Sequence, residues 1–319
     1  MATANLKRDI VRPNTHEGAT ASLLTPEAQL RRSVMSCLLW ENEFYEDGQS
    51  IAKRIESLVS EVDPHAVADI AVEAREDMHL RHVPLWIVRG MARELGGTEH
   101  ARLVGDVLAR VIQRPDELCE FVALYWKDGK EPLSAQVKKG LAEAFRKFDE
   151  YQLAKYNRTD RAVTLRDVLF LCHAKPKDEE QEALWGRLIA DELETPDTWE
   201  TRLSAGEGEK SDEAKRERWT SMLESGKLGA MALLRNLRNM LDVNVERGTI
   251  ERAIREARYR RVLPFRFIAA ARHAPKLENA LNDAMLGSLS QLPKLQGRTC
   301  IVVDHSGSMR APVSSRSTI

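Results

Sequence analysis

The chain has 319 residues, 43% of them hydrophobic and 30% charged, with a formal net charge of −1. This is the composition of a globular protein, and the balanced charge gives no global case for nucleic acid. No apolar run approaches the ~20 residues of a membrane span, and residues 1–18 hold no apolar core before a cleavage site. A cytoplasmic protein without membrane partners is therefore expected, and four widely spaced cysteines without ligand spacing (Cys37, Cys119, Cys172, Cys300) fit reduced thiols.

Nearly everything from Pro26 to Leu292 has helical texture. Thr25-Pro26-Glu27 reads as an N-cap, a proline at the first helical position and an acid in the first turn. Leu30, Val34, Cys37 and Leu38 follow at helical spacing. Gly48-Gln49-Ser50 precedes a second helix with Ile51, Ile55 and Leu58, and Asp63-Pro64 opens a third. Periodicity places further helices around 85–95, 98–112, 115–126, 134–148, 180–193, 211–223, 228–241, 249–259 and 277–289. Short connections rich in Gly or Pro join them, the pattern of antiparallel helix pairs stacked into an α-solenoid. No strict sequence period accompanies it.

Strand signal comes only at Thr299-Cys300-Ile301-Val302-Val303, which reads as a buried parallel strand of an α/β sheet. It delivers Asp304-His305-Ser306-Gly307-Ser308, where one carboxylate and two hydroxyls supply the hard oxygen ligands that suit Mg²⁺. Asp304, Ser306 and Ser308 are the metal candidates, as an incomplete site, because three oxygens do not fill an octahedral shell. Gln296-Gly297 is the natural boundary, giving a helical domain at 14–296 and an α/β segment at 297–319.

Charge is segregated along the chain. Between Arg235 and Lys276 stand eleven basic residues against four acidic ones, a surplus of seven, whereas 178–213 is acidic. Arg235 and Arg238, three apart on one helical face, are the preferred candidates for contact with an anionic partner. The plainer reading of this segment is a solvated face with i,i+4 pairs such as Glu251–Arg255. Glu76, Asp77, His79 and His82 fit a helix end and turn better than a metal cluster, because the histidines are three apart and no third ligand is marked. Gly206-Glu207-Gly208-Glu209-Lys210-Ser211 lacks the glycines of a phosphate loop. The six tryptophans read as packing residues. No nucleophile–base pattern or dinucleotide fingerprint is present, so an enzyme is not expected.

Several segments, in order, resemble a known family. Glu41-Asn42-Glu43-Phe44-Tyr45-Glu46-Asp47-Gly48, His82-Val83-Pro84-Leu85, Tyr151 to Arg158, Val163-Thr164-Leu165-Arg166-Asp167-Val168-Leu169, His173-Ala174-Lys175-Pro176, Leu233 to Leu237 and Leu263-Pro264-Phe265-Arg266 are similar to the TROVE domain of bacterial and phage type. The motif after Val303 resembles the metal-ion-dependent adhesion site of von Willebrand factor A domains. Together they imply a mainly α protein: a HEAT-like α-solenoid closed or nearly closed into a ring, followed by the first strand of a truncated A domain. The resemblance further implies a Ro-type RNA-binding protein. Its ligands would be small noncoding RNA and single-stranded 3′ ends, and its partner an exoribonuclease in RNA quality control.

On this resemblance Lys155, Arg158 and His173, with Lys175 close by, fall near the RNA-contacting segment. Lys155 would meet a phosphate as a point charge, and Arg158 would meet a phosphate or stack, with Arg161 competing for that role. His173 would donate to phosphate or stack on a base. The competing classes are an α-solenoid protein-interaction scaffold and a degenerate fragment without activity.

Overall fold

The computed structural model describes residues 14, 18–37, 47–196, 201, 211–226, 228–290, 292, 296–305 and 307. They fold into fifteen α-helices and one 3-10 turn, in two compact units that divide between Glu194 and Thr195. Among the described residues no helix is long and apolar enough to cross a membrane.

The first unit holds α1 (Pro26–Ser36), α2 (Gly48–Glu61), α3 (Pro64–Glu76), α4 (His82–Glu94), α5 (Ala101–Val111), α6 (Pro115–Tyr125), α7 (Ala135–Phe145), α8 (Glu150–Tyr156), α9 (Leu165–Cys172) and α10 (Glu179–Ala190). Short polar side chains start many of them. Thr25 Oγ1 accepts from the Ala28 amide, Asp63 from the His65 and Ala66 amides, and Ser134 Oγ from the Val137 amide. Thr164 and Asp167 close a reciprocal capping box at α9.

Helices two apart in sequence pack side by side, so α1, α3, α5, α7 and α9 form one row and α2, α4, α6, α8 and α10 the other. This is the two-row stacking of an α-solenoid, with a continuous apolar seam between the rows from Leu30 to Leu188. The tightest approach is between α5 and α7. A Cβ at Gly140 would lie 2.7 Å from the Gly105 carbonyl oxygen and 2.9 Å from Leu108 Cβ, so the two backbones meet where neither helix has a side chain.

Polar pins lock the rows. Glu117 is fully buried and accepts two bonds from Arg75, at 2.7 and 2.9 Å, and two from the Gln113 and Arg114 amides. Arg75 Nε donates to the Val111 carbonyl and its NH1 to the Leu80 carbonyl, so one guanidinium joins α3, α5, α6 and the turn before α4. Lys147 caps the C-terminus of α5 through the Ala109 and Ile112 carbonyls. Arg89, also fully buried, pairs with Glu56 and Asp128 and lies over the Trp86 ring.

The second unit holds α11 (Asp212–Glu224), α12 (Ala230–Asp242), α13 (Arg247–Glu256), α14 (Pro264–His273), a 3-10 turn (Pro275–Leu277) and α15 (Glu278–Ser290). It repeats the arrangement, with α11, α13 and α15 in one row and α12 and α14 in the other, around Trp219, Leu233, Leu237, Ile250, Phe267 and Leu281.

Thr299 to Val303 departs from the expected buried strand. The described residues contain an isolated bridge between Asn14 and Thr20 and no β-ladder, and Ile301 and Val302 are 83% and 88% exposed. A β-branched run has strand preference, but a strand exists only through pairing with a neighbour. The glycine-poor phosphate-loop lookalike at 206–210 lies outside the described residues.

Two stability predictions follow from these contacts. Glu117→Leu alone should cost about 3–5 kcal/mol in urea unfolding of the first unit, because Arg75 is left charged and buried, and Arg75→Met with Glu117→Leu should recover much of that. Gly140→Ala should cost about 1–3 kcal/mol despite its better helix propensity, because the added methyl meets backbone rather than a movable side chain; thermal unfolding by circular dichroism measures it.

Candidate nucleic-acid interface

Helix α12 buries Leu233, Leu234, Leu237 and Met240, and this stripe turns Arg235 and Arg238 outward. Helix α14 buries Phe267 and Ala270 and turns Arg266 and His273 outward. The two helices pack together, and the four cationic or cationisable side chains line one cleft of about 470 Å³ with an apolar floor that includes Leu234, Leu237 and Ala270. Asn239 joins them at the rim, held by its amide donating 3.0 Å to Asn236 Oδ1. Asn236 is itself buried and donates to the Ala232 carbonyl.

Little acid opposes this group. Arg238 makes a 3.5 Å i,i+4 pair with Asp242, both more than 60% exposed, a contact worth little in water. Arg235 and His273 have no ion-pair or hydrogen-bond partner among the described residues. Arg266 lies 4.7 Å from the Phe265 ring. The turn after α13 adds Arg258, Arg260 and Arg261, all exposed, around Tyr259. Tyr259 anchors that turn by donating 2.8 Å to the Ile254 carbonyl and packing 4.8 Å from the Phe267 ring, and burial pushes its phenol up. Arg261 sits in the left-handed region at φ 71°, a backbone cost that the anchored turn imposes. The Glu251–Arg255 pair expected for this segment is present, at 4.0 Å.

In the first unit Lys155 lies 5.6 Å from the Tyr151 ring and 5.9 Å from the Tyr156 ring, and Arg114 lies 4.7 Å from Tyr156. Arg158 is exposed and pairs with Asp160 at 3.4 Å. Arg161 points elsewhere, 3.6 Å from Glu120, in a cluster with Arg81 and His82. The two arginines that compete in the sequence thus have different surroundings. His173 caps α9 in the left-handed conformation and lines a second cleft, with Trp126 and Phe170. The Lys175 carbonyl accepts from Arg146, and its side chain is exposed.

Sequence reasoning brought Arg235 and Arg238 forward and left His273, Trp126 and Phe170 unnoticed as cleft residues. Phe170 had a signal: it stands off the buried stripe of Leu165, Val168, Leu169 and Cys172. Of the metal candidates, Asp304 is exposed, and Ser306 and Ser308 lie outside the described residues. Among the described residues no three His, Cys, Asp or Glu side chains gather as a metal would require. Glu76 is engaged by Arg110 at 2.7 and 2.8 Å, and His82 lies 3.5 Å from Glu120.

Residues 191–314, which span the second unit and its cleft, match the TROVE domain family. That match covers 124 of the 319 residues. The fold of the chain is also similar to the crystal structure of the Ro (RSR) protein of Deinococcus radiodurans, with a TM-score of 0.60 and 19% identity over 84% of this chain. The chain spans 65% of the length of that protein. The family resemblance read from the motifs is borne out, and the shared fold extends upstream of the TROVE match.

Glu120 offers a pH test of the first unit's basic cluster. Burial favours its neutral form, but the His82 bond and the charges of Arg81, His82 and Arg161 outweigh it and hold the carboxyl below its ordinary 4.5. A depressed folded value adds stability above the unfolded one, lost as pH falls through the folded one. Acid unfolding should therefore show the wild type losing its advantage over Glu120→Gln below about pH 4.5, with the full difference present at neutral pH.

Proposed function

We propose that this chain is an RNA-binding protein of Ro type that works by binding, without chemistry on its ligand. The observation that carries the proposal is the convergence of Arg235, Arg238, Arg266 and His273 on one cleft inside the TROVE match. Guanidinium groups suit phosphate because they are planar, permanently charged and present paired donors. An apolar floor of Leu234, Leu237 and Ala270 below them gives the sugar a surface to lie on. The overall charge of −1 hides this local field, which arises because the basic surplus is confined to neighbouring helices.

The ligands proposed are small noncoding RNA and single-stranded 3′ ends, held on a HEAT-like helical ring and passed to an exoribonuclease in RNA quality control. Lys155, Arg158 and Lys175 would track the backbone of the strand. The reading places the protein in the cytoplasm and takes no step through a metal ion. A protein-interaction scaffold is the second reading, and exposed Leu263, Phe265 and Ile268 at α14 favour it.

Salt dependence separates the two readings. Filter binding of a structured RNA with a 3′ tail should weaken as salt rises, by ~0.7 in the log–log slope for each phosphate met on a single strand. Arg235→Ala with Arg238→Ala should weaken binding and flatten that slope by about 1, roughly alike for different RNA sequences. An affinity indifferent to salt would sink the RNA reading and leave the apolar surface of α14 as the better guide.

A further inference from the structure

The second cleft, in the first unit, encloses about 540 Å³ between α9, Lys138 of α7 and the connection that follows α6. A volume of this size suits a small ligand or one unit of a polymer. Phe170 lies at its edge with 53% of its surface exposed, although α9 has a complete buried stripe without it. The Arg166 guanidinium lies 5.9 Å from the Phe170 ring. Across the lining, Trp126 is held by its indole N–H, which donates 2.7 Å to the Glu131 carbonyl, and Lys130 Nζ lies 5.3 Å from its ring. Each aromatic side chain at this cleft therefore has a cation beside it.

His173 completes the rim. It ends α9 at φ 52°, its amide donating to the Phe170 carbonyl, and its imidazole has no partner among the described residues. Two acids also line the cleft. Asp167 is spent on the start of α9, where Oδ2 accepts from the Thr164 amide and hydroxyl at 2.9 and 2.7 Å. Glu131 is the free opposing charge, set against Lys130 and Lys138. A cleft with near-balanced charge is a poor trap for a phosphate alone. It is a good one for a flat ring that carries its own anion alongside.

We infer that this cleft takes one unpaired base of a single-stranded RNA, stacked on Phe170, with Lys130, Lys138 and His173 beside the adjoining phosphate. The inference rests on the RNA-binding reading and adds to it a base-dependent component that the arginine cleft of the second unit lacks. Stacking on an aromatic ring is tolerant of sequence but needs a base to be present.

The test compares a short oligoadenylate with an abasic ribose-phosphate oligomer of equal length, by fluorescence anisotropy with full-length protein. The wild type should bind oligoadenylate about tenfold more tightly than the abasic oligomer. Phe170→Leu, which keeps an apolar side chain of similar bulk, should bring oligoadenylate down to the abasic level, and Phe170→Trp should restore the preference. Arg235→Ala with Arg238→Ala should weaken both oligomers and leave the preference between them intact. Equal binding of the two oligomers by the wild type, or an unchanged preference in Phe170→Leu, overturns the stacking site while RNA binding stands. Failure of both oligomers to bind the wild type overturns the RNA reading and the stacking site with it.

Discussion

Glu117 is the point about which the first unit is organised. A carboxylate withdrawn from water is tolerable only when its charge and lone pairs are all met, and here Arg75 and two backbone amides meet them. The same guanidinium takes up the Val111 and Leu80 carbonyls, which face the ends of helices and would otherwise be short of donors. Four neighbouring segments thereby share one ion pair. Apolar packing supplies the driving force for stacking, and the pair fixes which carbonyl meets which donor, hence the offset between the rows.

The second unit uses the same two-row plan with a different division of labour. Its core is apolar, and its charged residues lie outside, where α12 and α14 turn arginines into a shared cleft. Tyr259 is the counterpart of the buried pair in organising a turn, but it does so with one hydroxyl and one ring. The arginines of that turn are then displayed rather than neutralised. Charge in the first unit is mostly engaged in ion pairs, whereas Arg235, Arg258, Arg260 and Arg261 of the second are exposed.

Much of the helical plan was legible because its signals are local. Thr25, Asp63 and Ser134 cap helices as their side chains lead one to expect, and prolines at the first helical position mark the starts after Thr25 and Asp63. The helices at 150–156, 165–172 and 264–273 escaped the periodic reading because each offers only two or three turns of pattern. The partnership of Arg75 with Glu117, 42 residues apart, has no local signature at all. The basic surplus at 235–276 was plain in the sequence, yet only the packing of α12 on α14 selects Arg235, Arg238 and Arg266 from it. Thr299 to Val303 shows the opposite limit, a strong local preference without the neighbour that would make it a strand.

The glycine contact between α5 and α7 bears on how far the solenoid can bend. Where two helices touch through side chains, rotamers can give way and the axes can slide. At Gly105 and Gly140 the peptide groups themselves are in contact, so there is no soft layer to deform. That junction works as a rigid joint in the middle of the odd-numbered row. Any shift of one helix against the next must then be taken up elsewhere in the row, at helix pairs cushioned by leucine and valine.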